Sequence, residues 1–462
     1  MTDTDLVVVL PGITGSTLHQ HGKPVWEPSG GAILKGLRTL GRSLKQLQLP
    51  AGVGEEDPGD GVEAVAVMPD VHVIPGVWSP IQGYTALLNR LERMRDEKKV
   101  GKVLPFPYDW RLSNRYSGQR LAETVERELG RWRESDPSRA DAQVVLVCHS
   151  MGGLVARWYI EKCGGAEVTR KLITLGTPYR GAAKTIDQIV NGVTRKLGPF
   201  AVDLTAFARS MPSSYQLLPE YACIDHNGDL RRIDEVALPD VDTGMRDDAL
   251  RFHRDLAAAE VARPASQQIT HAIVGTRQPT ASSVRLTPTG IEVLDSLGAD
   301  DYFGDATVPL AGALKHTVAM DDKEIYRIVD RHGSLQSNRV VLDQVEEIIT
   351  ATQIKFRAGP PAAVRADAPE LVVLGEPLTV TADIEPDSSG RIPAVRVTLT
   401  PAEPAITAKP VARQPPIRNG HTEVTFTPAQ PGTYHINITG TAPGSPIAPV
   451  TAIALIWAPE TA

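Results

Sequence analysis

Apolar positions along the first three quarters of the chain fall into two rhythms. Short unbroken runs occur at Leu6–Leu10, Lys102–Phe106, Val144–Cys148, Lys171–Leu175, Ile269–Val274 and Glu324–Val329. Such runs are the pattern of strands buried on both faces. Between them the spacing turns helical. Leu121, Val125, Leu129 and Trp132 recur through Ser117–Ser135, and Val341, Leu342, Val345, Ile348 and Ile349 form one stripe through Asn338–Thr350. Strands alternating with helices predict an α/β domain over residues 1–356, with a parallel sheet covered on both sides.

The rhythm then changes. Residues 357–363 read as a linker, rich in Pro, Gly and Ala. Beyond it, apolar residues alternate with polar ones. Leu378, Val380, Ala382 and Ile384 share a face, as do Val395, Val397 and Leu399, then Val424 and Phe426, then Tyr434, Ile436 and Ile438, then Ile453, Leu455 and Trp457. Pro and Gly cluster between these runs, and no helical spacing interrupts them. The pattern predicts an all-β, immunoglobulin-like sandwich over 364–462.

Composition narrows the classes. The chain has 462 residues, 42% hydrophobic and 22% charged, which is ample material for a core. The net charge of −7 argues against a dedicated nucleic-acid binder. No apolar stretch approaches the roughly 20 residues of a membrane span. Met1–Asp5 has no basic lead-in and Leu6–Leu10 is too short for a signal-peptide core, so a cytoplasmic location is expected. Cys148, Cys163 and Cys223 are odd in number and widely spaced. They read as reduced thiols, not as a disulfide framework or a metal site. Neither a cofactor nor a metal is called for.

The sharpest chemical signal is Val144-Val-Leu-Val-Cys-His-Ser-Met-Gly-Gly153, an apolar strand running into a small-residue turn and then a helix. That is the layout of a nucleophile elbow, with Ser150 exposed above the sheet and the helix N-terminus beside it. The usual G-x-S-x-G pattern here has Cys148 in its first position. A serine nucleophile needs a base, and the base an orienting acid. Asp305, in Gly304-Asp-Ala-Thr-Val308, and His332, after the Glu324–Val329 run, follow Ser150 in the expected order. His316 is a competing base, His149 adjoins the nucleophile but is expected to point away, and Asp300 and Asp301 are competing acids. The oxyanion would be met by the N–H of Met151 and by that of Ile13, in the loop after the first strand, where Gly12 permits close approach.

Six motifs in order then carry a resemblance. They are Leu10–Leu18 (LPGITGSTL), Pro105–Leu112 (PFPYDWRL), His149–Gly153 (HSMGG), Leu175–Pro178 (LGTP), Tyr215–Pro219 (YQLLP) and Gly304–Val308 (GDATV). Over residues 6–350 the chain resembles the lecithin:cholesterol acyltransferase family, which includes lysosomal phospholipase and phospholipid:diacylglycerol acyltransferase. The resemblance implies an α/β-hydrolase fold with a cap or lid insertion, placed at 181–262. It implies Ser150, Asp305 and His332 as the triad and Ile13 and Met151 as the oxyanion hole. It further implies acyl transfer from a glycerolipid to an alcohol or to water, without metal or cofactor. Pocket candidates are Gly12, Tyr108, Asp109 and Trp110.

Three functions remain open at this level: a serine acyl hydrolase or O-acyltransferase on a lipid-like ester, a general esterase on soluble or secondary-metabolite esters, and a non-enzymatic interaction protein with a relic core. In the last, the sandwich would dock a protein partner. In 32–49, Ile33, Leu37, Leu40, Leu44 and Leu47 make one helical stripe, and Lys35, Arg38, Arg42 and Lys45 lie off it. The segment reads either as a cap helix or as a peripheral membrane contact.

Overall fold

The structure is a computed structural model. It describes residues 4–27, 47–50, 55–69, 82–350 and 362–458, save 198–199, 264–268, 289, 299–302, 317, 319–324, 388–389, 404–405, 443–444 and 446. Most of the basic stripe at 32–49 and of the linker at 357–363 lies outside the described residues.

Six parallel strands form the central sheet: β1 (Leu6–Leu10), β2 (Lys102–Pro105), β3 (Val144–His149), β4 (Thr169–Leu175), β5 (Thr270–Thr276) and β6 (Tyr326–Val329). Their order across the sheet is β6-β5-β4-β3-β1-β2. Every residue of β1 and β3 is buried, because helices cover both faces, which is why these strands read as unbroken apolar runs. One face packs Leu6, Val8 and Leu10 with α2 (Asn114–Glu134) and α3 (Gly152–Lys162). The other packs Val7, Val9, Val145 and Val147 with α1 (Thr85–Asp96) and α6 (Arg339–Thr350). Ser113 caps α2, its hydroxyl accepting from the Arg115 amide at 3.1 Å.

The insertion after β4, expected from the sequence to be a cap, carries helices and strands of its own. It contains α4 (Ala183–Val190) and α5 (Thr243–Ala262). A four-stranded cap sheet joins Ile224–His226 and Asp229–Arg231 to Ser283–Thr287 and Gly290–Leu294, in the order Asp229–Arg231, Ile224–His226, Ser283–Thr287, Gly290–Leu294. The cap therefore draws on a second excursion, between β5 and Asp305, as well as on 181–262.

The C-terminal region is all strand. Val364–Asp367 (β7), Leu378–Ile384 (β9) and His421–Phe426 (β12) make a three-stranded sheet. Leu371–Val373 (β8), Gly432–Gly440 (β13), Val450–Trp457 (β14), Val395–Pro401 (β10) and Val411–Arg413 (β11) make a five-stranded one, in the order β8-β14-β13-β10-β11. Leu378, Val380 and Phe426 of the first sheet share an apolar cluster with Val397, Ile436, Ile438 and Ile456 of the second.

Candidate active site

At the end of β3 the chain turns sharply. Ser150 has φ +52°, a left-handed value that costs a non-glycine residue energy. Three bonds hold it there: its amide donates to Leu175 O at 2.9 Å, and its carbonyl accepts from Thr177 Oγ1 at 2.9 Å and from the Gly153 amide at 3.0 Å. Helix α3 begins two residues on. A Cβ on Gly152 would lie 2.4 Å from the Pro11 carbonyl oxygen, so only glycine lets the helix approach the loop after β1.

The structure brings Asp305, His332 and Ser150 together. His332 Nε2 lies 2.8 Å from Ser150 Oγ, and His332 Nδ1 lies 2.7 Å from Asp305 Oδ2. All three are buried. Next to His332, Asp305 Oδ2 is an acceptor, so Nδ1 donates and the Nε2 lone pair faces the serine. Asp305 Oδ1 accepts from the amides of Thr307 and Val308 at 3.0 and 2.7 Å, which fixes the carboxylate plane. Gly176, at φ +61°, lies under the pair; a Cβ there would stand 3.0 Å from Asp305 Oδ2 and 3.1 Å from His332 Nδ1. The competing base His316 sits instead 2.5 Å from Glu220 Oε1. Asp300 and Asp301 lie outside the described residues.

Met151 stands at the N-terminus of α3. Among the described residues, no protein group accepts the amide of Met151 or of Ile13. Ile13 and Ser150 line a small cavity, of about 30 Å³, together with Leu217, Val308, Pro178 and His332. Its far wall is α4, which contributes Lys184, Thr185 and Gln188. Gln188 is 4% exposed, and its Nε2 has no hydrogen-bond partner among the described residues. Lys184 Nζ lies 3.8 Å from Glu370 of the C-terminal region.

Gly12 abuts the nucleophile: a Cβ on it would come within 2.9 Å of Ser150 Cβ. Tyr108, Asp109 and Trp110 are not among the residues lining this cavity. Tyr108 and Trp110 brace the loop after β1 instead. The Tyr108 hydroxyl donates to Pro11 O at 2.8 Å, and Trp110 Nε1 donates to Ser16 O at 3.2 Å. Asp109 accepts from Arg111 Nη2 at 2.6 Å, and with Tyr108 it faces a separate polar cleft bordered by Asp57, Glu63 and Arg120. The physical reason is competition for the same groups, since a side chain that holds the loop cannot also project into the cavity.

Sequence reasoning missed a supporting chain behind the site. The Gly12 amide donates to Tyr84 Oη at 2.8 Å, and Tyr84 Oη lies 2.8 Å from His149 Nδ1. His149 Nε2 lies 3.0 Å from the His332 carbonyl oxygen. A carbonyl only accepts, so Nε2 carries the proton and Nδ1 accepts from the tyrosine. Burial pushes the Tyr84 phenol far up, which keeps it a donor. His149 does point away from the nucleophile, but into a link between the Gly12 loop and the His332 loop. No local pattern marks Tyr84. The Cys148 thiol is buried and held neutral by burial alone. All three cysteines are free.

Among the described residues, no group of three or more His, Cys, Asp or Glu side chains is placed to hold a metal ion, and no helix is long and apolar enough to cross a membrane.

Residues 75–257 match the sequence model of the lecithin:cholesterol acyltransferase family. A stretch of 174 residues, 37% of this chain, is 26% identical to the uncharacterized protein YJR098C of Saccharomyces cerevisiae and spans 23% of that relative's length. Among solved structures, that of the Tle4–Tli4 complex aligns over 75% of this chain and 96% of its own, at 15% identity and a TM-score of 0.47. The lipase BlEst2 of Bacillus licheniformis aligns over 85% and 96%, at 11% identity and 0.34. The phospholipase PlaB of Legionella pneumophila aligns over 84% and 89%, at 10% identity and 0.26.

Proposed function

We propose that this chain, whose residues 75–257 match the sequence model of the lecithin:cholesterol acyltransferase family, is a serine-dependent acyl-ester hydrolase or O-acyltransferase acting on a lipid-like ester. One observation carries the reading: Ser150 Oγ, His332 and Asp305 stand in hydrogen-bonded series at 2.8 and 2.7 Å, with the serine at positive φ on the turn into α3. In this reading His332 Nε2 takes the hydroxyl proton as Oγ attacks the ester carbonyl. Asp305 holds the imidazole and stabilises its charge. The developing oxyanion is met by the N–H groups of Ile13 and Met151, with the α3 N-terminus adding to the field. His332 then gives the proton to the departing alcohol, leaving the acyl group on Ser150. Water or a second alcohol attacks that acyl-enzyme, His332 again relaying the proton, and serine is regenerated.

The cavity supports a lipid-like substrate. Ile13, Leu217 and Val308 offer an apolar wall for an acyl chain, and Gln188 offers a buried donor to an oxygen of the substrate. An unpaired buried donor costs roughly 1–3 kcal/mol, which a bound acceptor would relieve. We further read the two C-terminal sheets as an immunoglobulin-like sandwich and the basic stripe at 32–49 as a peripheral membrane contact. The test is a substrate panel. Phospholipids and acylglycerols, with and without added alcohol, are compared with short soluble esters, and products are identified by mass spectrometry. Turnover of a lipid ester that vanishes in Ser150→Ala is the expected result. Turnover confined to short soluble esters would contradict the lipid assignment.

A further inference from the structure

The two loops that carry Asp305 and His332 are tied to the C-terminal sheets by side chains that the proposed reaction does not use. Gln278 is fully buried and lies two residues past β5. Its main chain exchanges hydrogen bonds with Gly304, N to O at 2.9 Å and O from N at 3.2 Å, directly before Asp305. Its side chain reaches the other way. Nε2 donates to Val364 O at 2.9 Å, and Oε1 accepts from the Ala366 amide at 3.2 Å. One glutamine thus joins the acid's loop to β7. Thr280 closes the same turn, accepting from the Gly304 and Ala306 amides at 3.0 and 2.9 Å and donating to Gln278 O at 2.8 Å.

The base's loop is held in the same way. Arg331 Nη1 donates to Ala366 O. Asp330, 1% exposed, accepts from Ser334 Oγ at 2.7 Å, from Asn338 Nδ2 at 2.6 Å and from the Arg331 amide at 2.8 Å. Thr451 of β14 lines a cleft with Arg331, His332 and Ser334, which brings β14 against this loop. Val329, the last residue of β6, belongs to the apolar cluster of the C-terminal sheets. The His332 amide donates to Asp305 O at 2.7 Å, which couples the two loops to each other.

We propose that the C-terminal sheets are part of the support of the active site: β7 and β14 clamp the acid and base loops through the positioning residues Gln278, Asp330 and Arg331, and so set the Ser150–His332–Asp305 geometry. The inference rests on the triad reading above. A module merely tethered to a finished enzyme would not need a fully buried glutamine with both ends of its amide bonded across the junction. Displacing a reacting group by about 1 Å from afar can cost on the order of a hundredfold in rate, so the clamp bears on turnover.

The full-length chain tests this with Gln278→Ala, Arg331→Met and Arg331→Lys, assayed on a short soluble ester alongside a thermal melt and labelling by a fluorophosphonate. Neither Gln278 nor Arg331 lines the cavity beside Ser150. The expected result is a fall in kcat of about tenfold or more for Gln278→Ala and Arg331→Met, with KM little changed. Arg331→Lys keeps a donor for Ala366 O and should recover most of the loss. If Gln278→Ala does not fold, the Arg331 pair decides. Folded variants that keep wild-type kcat, a loss confined to KM, or equal behaviour of Arg331→Met and Arg331→Lys would overturn the clamp while leaving the triad reading intact. A wild type that the probe does not label would overturn that reading itself, and the clamp with it.

Discussion

Three side chains that are far apart in sequence meet at the site, and each depends on its neighbours. Ser150→Ala and His332→Ala should each lower kcat by several orders of magnitude, and the double variant by little more. Members of such a set act as a unit, so their losses do not add; additive losses in steady-state assays would contradict the proposed roles. A second residue-scale effect concerns Asp330. Burial is the largest influence on it and raises its carboxyl pKa to about 6 from an ordinary 3.8. A raised carboxyl pKa means that the folded state favours the protonated form. The cost of ionising it in the fold is therefore absent below about pH 4, grows through pH 4–6 and is fully present above. At 1.36 kcal/mol per pH unit that is on the order of 3 kcal/mol. Relative to wild type, Asp330→Asn should gain stability as pH rises from 4 to 7.5, read from melts at both values. A pH-independent difference would contradict this.

At the scale of elements, much was legible. β1 and β3 announced themselves because their positions are buried throughout and, but for His149, apolar. Ser150 was legible because the elbow needs its strand, its small residues and its helix in one contiguous stretch. The cap sheet was not: Ile224–His226 and Asp229–Arg231 have three residues each, too few to show a period, and Ile224–His226 finds its second partner at Ser283–Thr287, some sixty residues on. Tyr108, Asp109 and Trp110 were prominent as a motif, yet Tyr108 and Trp110 brace the Pro11–Ser16 loop and Asp109 pairs with Arg111, because sequence marks a residue's importance without its direction. The Tyr84–His149 link left no local trace at all. Tyr84→Phe should leave the Gly12 amide and His149 Nδ1 unpaired. At roughly 1–3 kcal/mol for each buried orphan, we expect a lower melting temperature and a kcat reduced about tenfold. A variant indistinguishable from wild type would show that the link is idle.

At the scale of the whole molecule, the sheet rim and the segment after β4 line the cavity beside Ser150, and the C-terminal sheets meet the loops of Asp305 and His332 from another side. The sequence boundary near 357–363 separates two regions of different pattern, but side chains cross it: Gln278 and Arg331 to β7, and Lys184 to Glu370. Such contacts are invisible to periodicity, which reports only on each region's own core. In the reading proposed above, the basic stripe at 32–49 would meet a lipid surface. Contacts of Lys or Arg with anionic lipid are worth about 1 kcal/mol each and are screened within a Debye length. Flotation with anionic liposomes should show binding at low salt that fades as salt is raised and is lost in the triple variant Arg38→Gln, Arg42→Gln, Lys45→Gln. Indifference of the wild type to anionic liposomes would leave the stripe as a cap.

The central claim is that Ser150 is a nucleophile activated by His332. It is tested most directly by treating the full-length protein with a fluorophosphonate and locating the adduct by peptide mass spectrometry. The account predicts one adduct, on Ser150, absent in Ser150→Ala and formed far more slowly in His332→Ala. A label on another residue, or on Ser150 at an undiminished rate without His332, would contradict it.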